Sequence, residues 1–364
     1  MSTSIMTNPE PSFGEWVHEY LETYVKPVCK PSSTAYFADN LLKHAVPHLG
    51  NLPLSQIDSA TLQRFFNQQA AHGRLTDGGP LSAKSIRNLR TAVSGCFTMA
   101  VAQGLLRSNP VPGTVIRRAT KPTVDIMEEQ EAETLMNFLY TDPNLMNFGI
   151  ILAARLALRR GEVCALRWEN WDCCRGYLHI GNTVKRLPSE KKEGPKTELV
   201  FGPAKSEAGN RDLALAPDLE ELLQLQYERY FELFGREPEP EDFIVYNSAG
   251  TLTDPDNLTH YFSDVLAGLG LSHVKLHALR HTFAARAVEQ GVDIETVSGL
   301  LGHTDVTTTT HYYLHPRQEA MNKALWKLSA APGTPPRKLP AVIRGREVSH
   351  KFTRRASFGK EAAV

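Results

Sequence analysis

Apolar positions along the first hundred residues recur at helical spacing and are separated by clear punctuation. Ser12 and Glu15 form a capping box ahead of Phe13, Trp16, Val17, Tyr20, Leu21 and Tyr24, which share one helical face. Pro27 and Pro31 break that stripe. A second helix is predicted from Thr34 to Ala45, then a turn over Pro47 to Pro53. Asp58 can cap a third helix that runs to about Ala71, and Gly73 to Pro80 is a loop. Ser82 opens a fourth helix with Ile86, Leu89, Val93, Phe97 and Val101 on one face. It ends near Gly104, with Asn109-Pro110 as the stop. Residues 12–110 therefore read as a small all-helical domain behind a flexible lead-in over residues 1–11.

Residues 111–122 are polar, basic and proline-containing, and read as a linker. A second domain is expected over residues 123–328, where the period changes. Helices are predicted over Glu128 to Tyr140 and Asn144 to Leu158. Short strands follow over Gly176 to Asn182, Leu199 to Ala204 and Arg211 to Leu215. Residues 185–198 are polar and charged, and read as a long excursion between strands. Pro217 to Phe234 is helical, and Phe243 to Tyr246 is a short buried strand. Four helices close the domain, over roughly residues 254–267, 276–290, 293–301 and 305–328, the last divided at Pro316. The chain from 329 to 364 is rich in proline, lysine and arginine. It reads either as a solvated disordered tail or as an arm that touches phosphates or a neighbouring subunit. The fold class expected is mainly α, with a small antiparallel sheet in the second domain.

Composition adds limits. Apolar residues make up 41% and charged residues 22% of 364, ordinary for a folded water-borne chain with two cores. No apolar run approaches the roughly 20 residues of a membrane helix, and the first residues do not read as a secretory signal, so a cytoplasmic protein is expected. The five cysteines fit neither a zinc site nor a disulfide framework and read as packing residues in a reducing compartment. A formal net charge of zero does not favour a nucleic-acid partner, but phosphate recognition needs local clusters of Lys and Arg rather than a basic average.

Four segments carry candidate chemistry. They are Leu158-Arg159-Arg160-Gly161-Glu162, then Ala204-Lys205-Ser206 leading through Gly209-Asn210 to Arg211 in a hairpin-like turn. The third is His277-Ala278-Leu279-Arg280-His281, and the fourth Leu301-Gly302-His303 followed by Tyr312 and Tyr313. Arginines suit a site where charge builds on phosphate oxygens, because each offers a planar, permanently charged fork. A phenol attacking phosphorus must lose its proton to a nearby acceptor, and a departing alkoxide must gain one. His277 and His281 lie four apart, a spacing that could hold zinc, but no Glu follows the first as in a helical zinc motif. There is no phosphate-binding loop of the GxxxxGK type, and no acidic cluster of a two-metal nuclease.

In this order the segments resemble the tyrosine recombinase (phage integrase) family, over nearly the whole chain. Gly104 to Val111 resembles the close of that family's SAM-like core-binding domain. Leu158 to Glu162 resembles its arginine box, His277 to Arg280 its HxxR box and Leu301 to His303 its LGH box. The resemblance implies two arginines, Arg159 and Arg280, on the scissile phosphate. It implies His277 as base or phosphate contact, His303 as a further donor and Lys205 as the acid for the leaving 5′-oxygen. Glu162 and His281 are supporting residues. The nucleophile is Tyr312, nine residues beyond His303, with Tyr313 the alternative because Leu314-His315 follows it. It also implies strand cleavage and rejoining of double-stranded DNA through a 3′-phosphotyrosyl bond, with no metal, ATP or other cofactor. Four copies would assemble on paired sites, with accessory DNA-bending proteins as possible partners and the nucleoid as location. The helix at 316–328 reads either as core of its own subunit or as a segment docked on a neighbour. Leu156-Ala157 departs from the family's Thr-Gly, a small change expected to preserve tight helix packing. A DNA-binding accessory of the same fold and a DNA-relaxing topoisomerase are the alternative readings.

Overall fold

The capping box forms as the spacing predicts: the Ser12 N–H donates to the Glu15 carboxylate at 2.8 Å, and the Glu15 N–H returns to Ser12 Oγ at 3.3 Å. It starts α1 (Phe13–Glu19), which continues in wider π register over Tyr20–Val25. The computed structural model describes residues 10–118, 125–189, 194–204, 207–307 and 309. α2 (Pro31–Ala38) runs on through a π segment, Asp39–Ala45, into α3 (Val46–Leu49). This element starts earlier and ends later than the predicted Thr34 to Ala45. Pro31 sits at the first helical position, where its missing N–H has no partner to lose. The Val46 N–H bonds to the Leu41 carbonyl, an i-to-i−5 step just before Pro47, so the helix widens where a donor disappears. α4 (Ser59–His72) is capped by Asp58, and α5 (Ala83–Ala102) by Ser82.

These helices enclose one core, with Phe13, Leu41, Leu62, Val93 and Phe97 all buried. The Trp16 indole donates to the Cys96 carbonyl at 3.1 Å and fastens α1 to α5. The packing reaches past residue 110. Val111 is buried in the same core, and Arg90 donates to Thr114 Oγ1 at 3.0 Å and to the Val111 carbonyl at 3.2 Å. The start of the expected linker is therefore anchored. Glu10 and Pro11 are held as well, by the N–H groups of Ser55 and Leu54, so the expected flexible lead-in does not extend to them.

The second core is built from α6 (Glu129–Thr141), α7 (Leu145–Arg155) and α8 (Arg160–Val163), then β1 (Trp171–Asp172), β2 (Tyr177–Ile180), β3 (Asn182–Pro188), β4 (Thr197–Pro203) and β5 (Arg211–Ala214). α9 (Pro217–Phe234), α10 (Pro255–Gly268), α11 (His277–Glu289) and α12 (Ile294–Leu301) follow. β1, β2 and β5 form an antiparallel sheet in that order, with Leu178 opposite Leu213. β3 and β4 form a separate antiparallel ribbon, with Val184 opposite Phe201.

Three expectations change here. Much of the polar excursion at 185–198 is ribbon, because its backbone groups pair across β3 and β4. β4 and β5 are not neighbours, so the turn from Ala204 to Arg211 crosses between two sheets instead of closing a hairpin. Phe243 and Tyr246 make only isolated bridges, to Arg167 and Leu252. The ribbon is held by a seat and two clamps. A Cβ on Gly161 would meet the Val184 carbonyl at 2.5 Å, so α8 and β3 touch backbone to backbone. Arg186 pairs with Asp254, and the Arg167 guanidinium lies 4.3 Å from the Phe201 ring centre. Cys96 and Cys164 are buried as packing residues, whereas Cys173 and Cys174 are exposed on the β1–β2 turn. No helix of the described residues is long and apolar enough to cross a membrane.

Candidate active site

α7 stops at Arg155, three residues short of the predicted Leu158, because the chain turns sharply at Ala157 with φ +52°. Arg159 then sits on extended backbone as the N-cap of α8, with φ −73° and ψ 148°. The arginine box thus runs from the turn after α7 into the first residues of α8, rather than closing one long helix. Glu162, one turn on, accepts the Arg159 N–H at 3.0 Å and the Arg159 Nη1 at 2.6 Å. This carboxylate is 3% exposed and also receives Arg211 Nη2 at 3.1 Å. Burial pushes the Glu162 carboxyl up, but Arg211 and Arg159 outweigh it, and the group lies below the ordinary carboxylate range. Arg160, next to Arg159, points elsewhere and pairs with Asp256 at 2.5 Å.

Arg280, on the first turn of α11, is 1% exposed. Its Nη1 donates to the Ala157 carbonyl at 2.7 Å and its Nη2 to the Leu301 carbonyl. Arg159 Nη2 reaches the next carbonyl, that of Gly302, at 3.3 Å. Two consecutive carbonyls after α12 therefore gather both arginines. Gly302 makes this possible: its φ is +62°, and a Cβ there would lie 2.6 Å from the Ala208 carbonyl and 2.9 Å from Arg211 Nη1. His303 follows directly, with Nδ1 2.8 Å from the hydroxyl of the buried Thr309.

The histidines stand beside these arginines. Desolvation first, then His281, Arg280 and Arg159, push His277 down to about 4. Desolvation, then Arg280 and Arg159, push His303 down to about 4 as well. His281 is lowered too, by desolvation first and then by Arg280, against Asp125, and its ring stands edge-on to that of His277, with centres 4.7 Å apart. All three are neutral at pH 7 in the free protein, beside two permanent cations. Such a cluster of cations and neutral imidazoles suits an oxyanion, and the imidazoles can still accept a proton.

Of the residues expected from the sequence, Arg159, Glu162, His277, Arg280, His281 and His303 come together. Lys205, Tyr312 and Tyr313 lie outside the described residues. The sequence reading did not single out Arg211 for a role. Its signal was present: in the strand Arg211-Asp212-Leu213-Ala214 the period of two puts Arg211 on the buried face of Leu213. Thr309 was missed too, and only its contact with His303 reveals it. Among the described residues no cluster of His, Cys, Asp and Glu could hold a metal ion.

The geometry gathers arginines and histidines into one cluster, in a mostly helical fold with a SAM-like helical region ahead of it. The phage integrase family matches over residues 125–320, and the phage integrase N-terminal SAM-like domain over residues 12–69. The chain belongs to the phage integrase family, the tyrosine-type site-specific DNA recombinases. It is 25% identical over 328 residues to a tyrosine recombinase XerC-like protein of Caldanaerobacter subterraneus, covering 85% of this chain and 81% of that one. It is 24% identical over 256 residues to the ICEBs1 integrase of Bacillus subtilis, covering 68% and 67%. In fold it is similar to the Tn1549 transposon integrase, solved with a circular intermediate DNA. The TM-score is 0.71 at 16% identity, over 87% of this chain and 99% of that one. It also resembles a lambda integrase, solved as a tetramer on a Holliday junction. There the TM-score is 0.60 at 19% identity, over 84% and 78%.

Proposed function

We propose that this recombinase cleaves and rejoins double-stranded DNA through a 3′-phosphotyrosyl bond to Tyr312, without metal ions or ATP. One observation carries the reading: Arg159 and Arg280 converge on the adjacent carbonyls of Leu301 and Gly302, beside His277 and His303. A phosphodiester entering that cluster would exchange carbonyl partners for its own non-bridging oxygens. Negative charge growing there in the transition state would meet guanidiniums already oriented by Glu162 and by backbone. Neutral His277 can take the phenol proton as the tyrosine attacks. If Thr309 donates to Nδ1 of His303, the proton of that ring sits on Nε2, available to a phosphate oxygen. Lys205 supplies a proton to the departing 5′-oxygen. The phosphotyrosine conserves the energy of the broken bond, and a 5′-hydroxyl from another strand reverses the step.

Phosphate contacts would supply most of the affinity for DNA, and groove contacts the site preference. By analogy with the lambda integrase tetramer on a Holliday junction, four copies act on paired sites in the bacterial nucleoid, with DNA-bending proteins as candidate helpers. The direct test is a covalent adduct. The protein is incubated with nicked duplexes from the ends of its own gene, with chelator and without ATP, and resolved on a denaturing gel beside Tyr312→Phe and Tyr313→Phe. Loss of the adduct in Tyr312→Phe alone supports the assignment, and loss in Tyr313→Phe alone moves it by one residue. Tight DNA binding with no adduct favours a non-catalytic accessory protein instead.

A further inference from the structure

Among the described residues, Arg211 is the one buried cation of the site region that the chemistry above leaves without a task. It lies at the start of β5, and its side chain is 8% exposed. Its three nitrogens go to three different segments. Nε donates to the Leu300 carbonyl at 2.8 Å, at the end of α12. Nη1 donates to the Gly209 carbonyl at 3.4 Å, in the turn that follows Lys205. Nη2 donates to Glu162 at 3.1 Å, behind Arg159. Two of these segments lead to reacting groups, the Glu162 turn to Arg159 and the end of α12 to His303.

We propose that Arg211 is a positioning residue of the cleavage reaction, a buried three-way tie that sets the Arg159 fork through Glu162 and fixes the Gly209 backbone against the end of α12 that leads into His303. This rests on the recombinase reading given above. A lysine could not replace it, because a single ammonium cannot address three acceptors in these directions. The tie also explains the bare Gly302, since Arg211 Nη1 stands 2.9 Å from where a Cβ would be.

The charge balance around Glu162 makes the role separable from plain packing. The groups that face this carboxylate are Arg159 from its own turn, Arg211 from β5 and His277 from α11. His277 is neutral above pH 4, so two guanidiniums oppose the burial that favours the protonated acid. Without Arg211, burial gains the upper hand and Glu162 takes up a proton at higher pH. A protonated Glu162 holds Arg159 less well, and cleavage then fails on the acid side sooner.

The test uses the full-length protein, single-turnover adduct formation on nicked duplex from pH 5 to 8, and DNA affinity measured separately. Arg211→Met should slow adduct formation about tenfold or more while leaving DNA affinity within about threefold. The acid limb of its rate profile should move to higher pH. Glu162→Gln should be slow as well, and adding Arg211→Met to it should cost far less than Arg211→Met alone. Arg211→Lys should fall between wild type and Arg211→Met, and if thermal melting shows Arg211→Met unfolded, the pH limb of Arg211→Lys decides. An unmoved acid limb, or full additivity with Glu162→Gln, overturns the positioning role while the recombinase reading stands. A wild-type chain that forms no adduct overturns both.

Discussion

The two cores of the chain treat charge in opposite ways. In the core of α1 to α5, the buried polar side chains among the described residues are Gln69 and Thr114, and neither is charged. Ion pairs in that region are exposed and local, such as Lys26 with Glu22 and Arg74 with Asp77, and pairs of this kind add little stability. The core of α6 to α12 instead buries Glu162 and Arg280 almost completely. A buried charge carries a desolvation penalty of several kcal/mol, tolerated where hydrogen bonds answer it. Here backbone carbonyls and guanidiniums do so, and the same arrangement brings Arg159 and Arg280 beside His277 and His303. The first region is ordered by apolar packing, the second by packing plus a charge network that serves chemistry.

The sharpest way to break this contrast is to remove one group from each region. Arg159→Ala should lower adduct formation roughly 10²–10³-fold or more, since it removes a preorganised donor to the phosphate. Its side chain is 37% exposed and Arg211 still answers the buried Glu162, so melting should fall far less than in the apolar-core variant below. Arg280→Ala should lose as much activity and also destabilise the fold, because the Ala157 and Leu301 carbonyls lose a buried donor. Phe97→Ala should do the reverse of Arg159→Ala. It empties a fully buried site stacked on Phe13 and should cost about 3–5 kcal/mol by denaturant unfolding. The fraction that stays folded should cleave at the wild-type rate. If Arg159→Ala melts like Phe97→Ala, the two regions do not differ in the way argued.

Acid should separate the regions next. His277 and His303 are held near 4, and the unfolded chain titrates its histidines at about 6.5. Between those values the unfolded state binds protons that the folded state refuses, so stability is full above about pH 6.5 and is lost as pH falls toward 4. Glu162, also held low, extends the loss below its ordinary range. Melting temperature followed from pH 7.5 to 4.5 should fall, and the fall should shrink in His277→Gln/His303→Gln. An undiminished fall in that double variant would place the acid sensitivity elsewhere. Bound phosphate should reverse the shift by offering the imidazoles an anion, so DNA affinity should strengthen as pH drops through this window.

Legibility in the sequence follows the same division. The caps at Ser12, Asp58 and Ser82 and the stripes they open can be read directly, because each is a local pattern of a few residues. Arg159, Glu162, His277, Arg280, His281 and His303, which the structure brings together, were also legible, since residue type and order single them out. What could not be read is what depends on neighbours distant in sequence. The parts of the ribbon within 185–198 looked like a loop because there β3 and β4 pair with each other over polar residues rather than with an apolar sheet. The task of Arg211 needs Gly209, Glu162 and Leu300 side by side, and nothing local announces that. Ala157 was read as a small residue suited to close helix packing, whereas the structure makes its backbone the relevant feature.

Ala157 and Gly302 offer the finest comparison, being two left-handed positions in one site. Ala157 has φ +52° and Gly302 φ +62°. A Cβ at Gly302 would press on the Ala208 carbonyl and on Arg211, so Gly302→Ala should cost more than conformational strain alone, at least about 2 kcal/mol. At Ala157 the methyl is already accommodated and fully buried. Replacing it with glycine relieves a left-handed alanine, worth about 1–2 kcal/mol. The same change frees the unfolded chain by about 0.4–1 kcal/mol and removes one buried methyl worth about 0.8 kcal/mol. These terms nearly cancel, and Ala157→Gly should move stability by less than about 1 kcal/mol. Its carbonyl stays available to Arg280, so adduct formation should remain within about threefold of wild type. A gain above about 2 kcal/mol would mean that the methyl packs against nothing useful, and a loss of that size would mean that the turn carries no strain.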